Sequence, residues 1–551
     1  MLAVFFCVPA WGATWHIAQE NLPDISADRQ VRSIAEAVLR LEAGDTAIIH
    51  GGIYREQVVI DKGGTADSPI SIKAATGEYV VVTGADRLTQ WQKAEGDAPV
   101  FSTEWPHQFI RWNAQHTHPS DDYHRLIGRC EQVFVEGYLL RHVLERPQLG
   151  RGTFFVDLDA KRLYVWDSAN RDISNKKILV EASVRDTIWT CKGSHVRTGG
   201  IRFRYAANRA QQGAVQFQGD DNQVEDCVFE YTNACGAAFR GQRTTVRNCT
   251  FQYNGQMGFG ASRAHGLLMT GCIVRNNNSK GFDRGWEAGG NKIALTRGAV
   301  IENSFFAENR GNGIWFDIGN EKCQVRNCLI ADNENAGIFY EISYGLHAHD
   351  NVIVGNGFAF SPGAWGASAG ISISSSPDCL IERNLLIGNK EGFSFREQKR
   401  STPLIDGGSQ AVWNHDEIVR NNVLAYNRDA QVWGWFDIDD QRHWPKPMQE
   451  GPPADLSLED LKLTFENNLY CPAIGQGLFN WGVTWKKNKK YPDLDMVRRD
   501  LGLEHGSEAA DVAIKDFRKL DLRVPADSPA IRMQCYPQGE VFGVKLGTYT
   551  K

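Results

Sequence analysis

The chain has 551 residues, 42% of them hydrophobic, and a net charge of −6. It carries no basic run or patch, which excludes a nucleic-acid surface and gives no general pull toward acidic polymers. Beyond its first residues, no apolar run reaches the roughly 18 residues that a membrane span needs.

Met1 to Ala13 reads as an export signal, with Leu2-Ala-Val-Phe-Phe-Cys-Val8 as its apolar core and Ala10-Trp-Gly12 as a small-x-small cleavage site. A secreted or periplasmic protein is therefore expected. Residues 14–85 read as the start of a solenoid. A helix around Val31–Leu41 is predicted to cover the open apolar end, ahead of strands at Thr46–Ile49 and Gln57–Ile60. From 86 to 180 the period is lost, and Gln132–Tyr138, Thr153–Asp157 and Arg162–Trp166 predict hairpin strands of an inserted antiparallel β module.

Residues 181–427 hold a repeat. One phrase runs Val224-Glu-Asp-Cys227-Val-Phe229, Val246-Arg-Asn-Cys249-Thr-Phe251, Met269-Thr-Gly-Cys272-Ile-Val274, Ile301-Glu-Asn-Ser304-Phe-Phe306 and Val325-Arg-Asn-Cys328-Leu-Ile330. It continues through Asn351, Asn384 and Asn422 at the position of the cysteines. A fixed period of this length marks a stacked array. Short alternating segments of Val, Ile and Phe, broken by Asn and Gly, make the unit strands and turns rather than helices. The expected fold is all-β: a right-handed parallel β-helix, a pectate-lyase-like solenoid with a helical N-terminal cap and the inserted β module.

A second phrase places one acid above another. Gly313-Ile-Trp-Phe-Asp317 and Gly337-Ile-Phe-Tyr-Glu341 are in register. Equivalent residues on successive coils lie about 4.7–4.9 Å apart. With the second and fourth positions turned inward, the third and fifth face outward. Asp317 and Glu341 then share an outward column, with carboxylates roughly 5 Å apart, near the 5–5.5 Å of retaining glycosidases. Such closeness is expected to raise the pKa of one of them, as a proton donor requires. The alternative is two solvated charges on an outer face.

The flanks extend this surface. Trp315 and Phe339 are expected outward as an exposed aromatic strip suited to sugar rings. One coil earlier, Trp286-Glu287-Ala-Gly-Gly-Asn-Lys292 brings a third acid and a cation. The alternative for Glu287 and Lys292 is a structural ion pair. Asn320, Ser343, Tyr344, His347 and His349 follow the pair in its turns, and Ser374 and Arg396 continue the fifth-position column.

Glu287-Ala-Gly-Gly-Asn-Lys292, Gly313-Ile-Trp-Phe-Asp317 and Phe339-Tyr-Glu341-Ile-Ser343 resemble the core of glycoside hydrolase family 120, β-xylosidases on a right-handed β-helix. The resemblance implies Asp317 as nucleophile, Glu341 as acid/base, and Glu287 and Lys292 as sugar contacts. It is specific over about residues 285–350 and departs from the family directly after Asp317, where this chain reads Ile-Gly-Asn and that family tends to carry Trp and a Gln-Gly pair. More broadly the chain resembles secreted bacterial right-handed β-helix repeat proteins. The substrate-contact set read from these residues is Glu287, Lys292, Trp286, Trp315, Asn320, Phe339, His349 and Arg396.

The twelve cysteines do not suggest disulfides or metal ligands, because Cys227, Cys249, Cys272 and Cys328 share one repeat position and no C-x-x-C occurs. Buried free thiols are expected. Residues 428–551 are read as terminal coils. They hold an aromatic loop region (Trp433, Trp435, Phe436, Trp444), Pro452-Pro453, and two short helices near 456–463 and 493–501. Trp433 and Trp435 are candidate cleft walls or an end seal. No Ca²⁺-loop spacing is present, Asp437-Ile-Asp-Asp440 being the nearest, so no metal or cofactor is expected.

Three functions fit such a scaffold, which cannot choose among them by itself. The first is a retaining glycosidase acting on a plant or algal poly- or oligosaccharide. The second is a uronate lyase or epimerase using Lys292, Arg284, Arg310 or Arg396 with His265, His347 or His349. The third is a non-catalytic carbohydrate-binding protein.

Overall fold

The computed structural model describes residues 12–96, 98–109, 129–359, 368–398, 400–436, 461–483 and 487–550. The export signal, apart from its last two residues, therefore lies outside the described residues, as do Trp444, Pro452-Pro453, Asp437–Asp440 and most of the helix expected near 456–463. No helix among the described residues is long and apolar enough to cross a membrane.

The chain forms a parallel β-helix divided into two compact units. In the first, strands Thr14–Ile17, Thr46–Ile49, Ile70–Ala74, Val196–Gly199 and Gln223–Glu225 stack in parallel. The helix Ile34–Arg40 is N-capped by the Ser33 side chain and packs against the first of these strands. Ile70–Ala74 pairs directly with Val196–Gly199, and Val58–Ile60 with Trp189–Cys191. The residues between leave the solenoid and return to the next coil. There Thr153–Asp157, Arg162–Trp166 and Val100–Glu104 form an antiparallel sheet.

In the second unit each coil contributes three strands to three parallel ladders. In one ladder, Val300–Glu302 pairs with Gln324–Arg326, His347–His349 and Leu380–Glu382 in turn. In another, Phe305–Ala307 leads to Leu329–Ala331, Val352–Val354, Leu385–Ile387 and Val423–Ala425. The C-terminal segment packs Val512, Leu522, Val524, Met533 and Tyr536 onto the outer face of this second ladder. The third ladder, the site sheet, runs through Gly289–Ala294, Ile314–Asp317, Ile338–Glu341, Ala369–Ser374, Glu391–Glu397 and Ala430–Phe436.

The recurring Asn-Cys pairs have a local cause. Asn248, Asn303, Asn327 and Asn421 lie at φ 53, 48, 51 and 55, a left-handed bend that asparagine tolerates well. The bend turns the next residue into the interior. Cys227, Cys249, Cys272 and Cys328 are buried and unpaired there, like every cysteine among the described residues. Burial pushes the Cys272 and Cys328 thiols up to about 12. At the other corners, amides stack: Asn254 donates to Asn277, Asn277 to Asn309, Asn309 to Asn333 and Asn333 to Asn356.

Candidate functional site

Two outward columns of the site sheet carry chemistry. In one, Trp315, Phe339, Ser372, Ser394 and Trp433 are consecutive partners; in the other, Asp317, Glu341, Ser374 and Arg396 are. Between them Phe316, Tyr340, Ile373 and Phe395 point inward and are fully buried. Asp317 and Glu341 are thus direct Cα partners on adjacent strands, about 4.7–4.9 Å apart. In the preceding coil, Lys292 leads into the first column, with its ammonium 4.9 Å from the centroid of the Trp315 ring.

The acids have different partners. Lys292 Nζ lies 2.8 Å from Asp317 Oδ2 and 2.9 Å from Glu287 Oε1, so one cation bridges two carboxylates. Burial works against the Lys292 ammonium, but Asp317 and Glu287 outweigh it and hold its pKa above the ordinary value. Glu341 Oε1 accepts from Arg400 Nη1 at 2.9 Å. Burial, with Asp317 beside it, raises the Glu341 pKa, while Arg400 and Arg396 pull the other way. Glu341 is therefore inclined toward keeping a proton.

Several polar atoms on this outward face are buried with no hydrogen-bond partner among the described residues: Asp317 Oδ1, Trp315 Nε1, Ser372 Oγ and Ser374 Oγ. Buried polar groups in folded proteins are nearly always paired. Four unpaired ones lie together on this face. The bend after each acid is also strained. Ile318 and Ile342 adopt φ 68 and 39, where β-branched residues are rare and cost about 1–3 kcal/mol each.

Arg400 comes from a hairpin, Arg400–Pro403 paired with Ser409–Val412, that crosses the turns of earlier coils. It is pinned by Arg297 to Asp406 at 3.0 Å, Arg263 to the Ile405 carbonyl, and Gln410 to Tyr344 Oη. Gly319, at φ 61, permits this, since a Cβ there would collide with the Pro403 carbonyl oxygen. Arg400 is absent from the substrate-contact set read from sequence. Its signal was the Asp406-Gly-Gly turn between short polar strands.

The structure brings Asp317, Glu341, Glu287, Lys292, Trp315, Phe339 and Arg396 together and corrects three expectations. Trp315 and Phe339 face outward but are 4% and 3% exposed, packed on each other and Ala336 rather than forming an open strip. Asn320 is fully buried, its amide spent on Thr296, Ser343 and the Ile293 and Asp317 carbonyls in a turn ladder. His349 sits in a different ladder, bonded to Asp350 at 2.6 Å, because the chain has already turned out of the site sheet. Trp286 rests against Phe282, Ala288 and Ala210 in the segment that carries Glu287. Of the lyase candidates, His265 accepts from the Arg297 backbone and His347 pairs with Glu382. Among the described residues, Asp378, His415 and Asp416, with ligand atoms within 4.8 Å of one another, form a group that could hold a metal; two of the three are exposed, on turns before Leu380–Glu382 and Ile418–Arg420.

Residues 213–386 match the family model of the right-handed β-helix region. Among solved structures, the chain is similar to that of XylC in complex with xylose, at 17% identity and TM-score 0.63, with 85% of each chain covered. A glycoside hydrolase structure follows at 12% identity and TM-score 0.45, covering 90% of this chain and 95% of that one. The pectate lyase Pel9A follows at 13% identity and TM-score 0.35, covering 75% of each. The sequence matches no curated protein. The family-model match and the likeness to XylC establish the right-handed parallel β-helix fold.

Proposed function

We propose that the protein is a carbohydrate-active enzyme that hydrolyses glycosidic bonds with retention, Asp317 acting as nucleophile and Glu341 as acid/base. The observation that carries this reading is the in-register pair itself: two outward carboxyls one strand apart, with Glu341 favoured toward its protonated form. In the first step Asp317 attacks the anomeric carbon while the Glu341 proton passes to the leaving oxygen. In the second, Glu341 takes a proton from water, which displaces Asp317 from the sugar. Lys292 orients Asp317, and Glu287 fixes Lys292 in turn. The resemblance of these segments to glycoside hydrolase family 120, and the fold shared with a protein solved with xylose, support the same reading.

A lyase or epimerase using Lys292 as its base is disfavoured by the same geometry. An ammonium held between two carboxylates does not give up its proton near neutral pH. A purely binding protein has no use for paired acids.

The test is a panel of nitrophenyl glycosides in both anomeric forms, run beside uronate polymers. Release of nitrophenol with retained configuration is the expected result. Ultraviolet absorbance from an unsaturated uronate product, without hydrolysis, overturns the assignment, and inactivity on every substrate leaves the binding protein.

A further inference from the structure

Glu341 faces two arginines to which the hydrolytic steps give no task. Arg396 lies in the same column two strands on, through Ser374. Arg400 reaches Glu341 from the hairpin, with its side chain one-third exposed at the rim. To protonate a leaving oxygen, Glu341 must be neutral, and a neutral Glu341 no longer compensates Arg400. Leaving one member of such a pair without its counter-charge is costly. The site then wants a second anion at the same guanidinium.

We propose that the subsite beside Glu341 receives a sugar bearing a carboxylate, a hexuronate, with Arg400 as its anchor. The inference rests on the reading of Asp317 and Glu341 as the catalytic pair and deepens it by naming the substrate class. Guanidinium suits this task because its planar fork presents two parallel N–H groups to a carboxylate. Through Nη1, Arg400 donates to Glu341 and to Gln398 Oε1 at 3.3 Å. The hairpin backbone is fixed by its contacts at Asp406 and Gly319, while the side chain above it is free to exchange one carboxylate for another. When the substrate carboxylate takes Arg400, Glu341 loses that counter-charge and keeps Arg396 alone against burial and Asp317, so binding itself helps to prepare the acid. The overall charge of the chain does not draw acidic polymers; the attraction is local to this rim.

The test uses the full chain as Asp317→Asn, so that nothing turns over. Calorimetric titration with glucuronate and galacturonate is compared with glucose and galactose, the fold being checked by circular dichroism. One uronate is expected to bind at least about tenfold more tightly than its neutral counterpart. Adding Arg400→Met to the same background should remove that preference and keep the affinity for the neutral sugar. Equal affinity for acid and neutral sugars, failure of either uronate to bind, or a preference that survives Arg400→Met overturns the proposal. Wild-type hydrolysis of neutral nitrophenyl glycosides without uronate preference defeats this inference alone. Uronate preference without hydrolysis of any glycoside defeats the mechanistic reading alone.

Discussion

The turn ladders and the site columns obey the same repeat and end in opposite states. At the corner lined by Asn254, Asn277, Asn309, Asn333 and Asn356, each amide donates to the oxygen of the next copy and to a carbonyl of the coil before. Identical neighbours satisfy one another, so the ladder is closed to any ligand. Along the site sheet the residues at one position differ from coil to coil: Asp317, Glu341, Ser374, Arg396. Their partners are supplied from elsewhere, by Lys292 and Arg400, or are missing among the described residues, as for Asp317 Oδ1 and the Ser372 and Ser374 hydroxyls. Stability comes from the repeat, and chemistry from its interruption. Upstream in the same sheet, Ala238, paired through Gly260 with Lys292, shows the outward face as small side chains without that chemistry.

The largest effect is expected at Asp317, the proposed nucleophile. Asp317→Asn keeps the shape of the side chain, and Glu287 still compensates Lys292, so the protein folds. Hydrolysis falls by about three orders of magnitude or more for every substrate, because the covalent route is gone. Wild-type-like turnover in a contaminant-free preparation would sink the assignment. Glu341→Gln acts more selectively. Rates drop by about 10²–10⁴-fold on poor leaving groups, while an activated aryl glycoside keeps part of its first step. In Glu341→Ala, azide should restore turnover of the aryl glycoside by attacking the glycosyl-enzyme without a general base. No response to azide argues against Glu341 as acid/base.

Much of this contrast was legible in the sequence, and the rest was not for physical reasons. Inward and outward alternate with period two, so the register of Asp317 over Glu341 followed from counting. The thiol column followed from its shared position. Burial of Trp315 and Phe339 did not follow, because orientation relative to a strand says nothing about what another segment lays over it. Arg400 was missed because it lies 59 residues beyond Glu341 in sequence and arrives on a hairpin. Asn320 was misread because an asparagine looks alike as ligand contact and as ladder rung. The distinguishing signal was Thr296, Ser343 and Ser376 at the same place in neighbouring coils, which mark a rung.

The closed ladder has its own test. Asn333→Ala removes the acceptor of the Asn309 backbone N–H and of one of its two side-chain N–H groups, and takes from the Phe306 carbonyl its side-chain donor; the Asn356 oxygen keeps only the backbone N–H of residue 333. Each orphaned buried group costs about 1–3 kcal/mol, so a loss of about 3 kcal/mol or more is expected, read as a lowered denaturation midpoint. The folded fraction should keep its activity, since the change lies inside the solenoid. An unchanged midpoint would mean that the ladder is not what stabilises the coils.

The smallest effect concerns an interior position that breaks the rule of closure. Glu391 begins its strand with the inward parity of Phe393 and Phe395, pairs in register with Ala369 and Ala430, and is 6% exposed. Burial pushes its carboxyl up to about 7 from an ordinary 4.5, with Lys390 and Arg428 lowering it and Asp429 raising it. The sign follows from which state holds the proton. Below the unfolded value both states are protonated and the group is neutral to stability. As pH rises from there toward about 7, the unfolded chain releases its proton while the folded chain keeps it, so unfolding is increasingly favoured. Above that the penalty is constant, up to about 3 kcal/mol. Glu391→Gln imitates the neutral acid and removes the penalty. It should leave the thermal midpoint unchanged near pH 4, raise it progressively through the window, and hold a steady gain at pH 8. A gain independent of pH would instead point to packing, and a loss at pH 8 would mean that the ionised carboxylate has found a partner inside the coil.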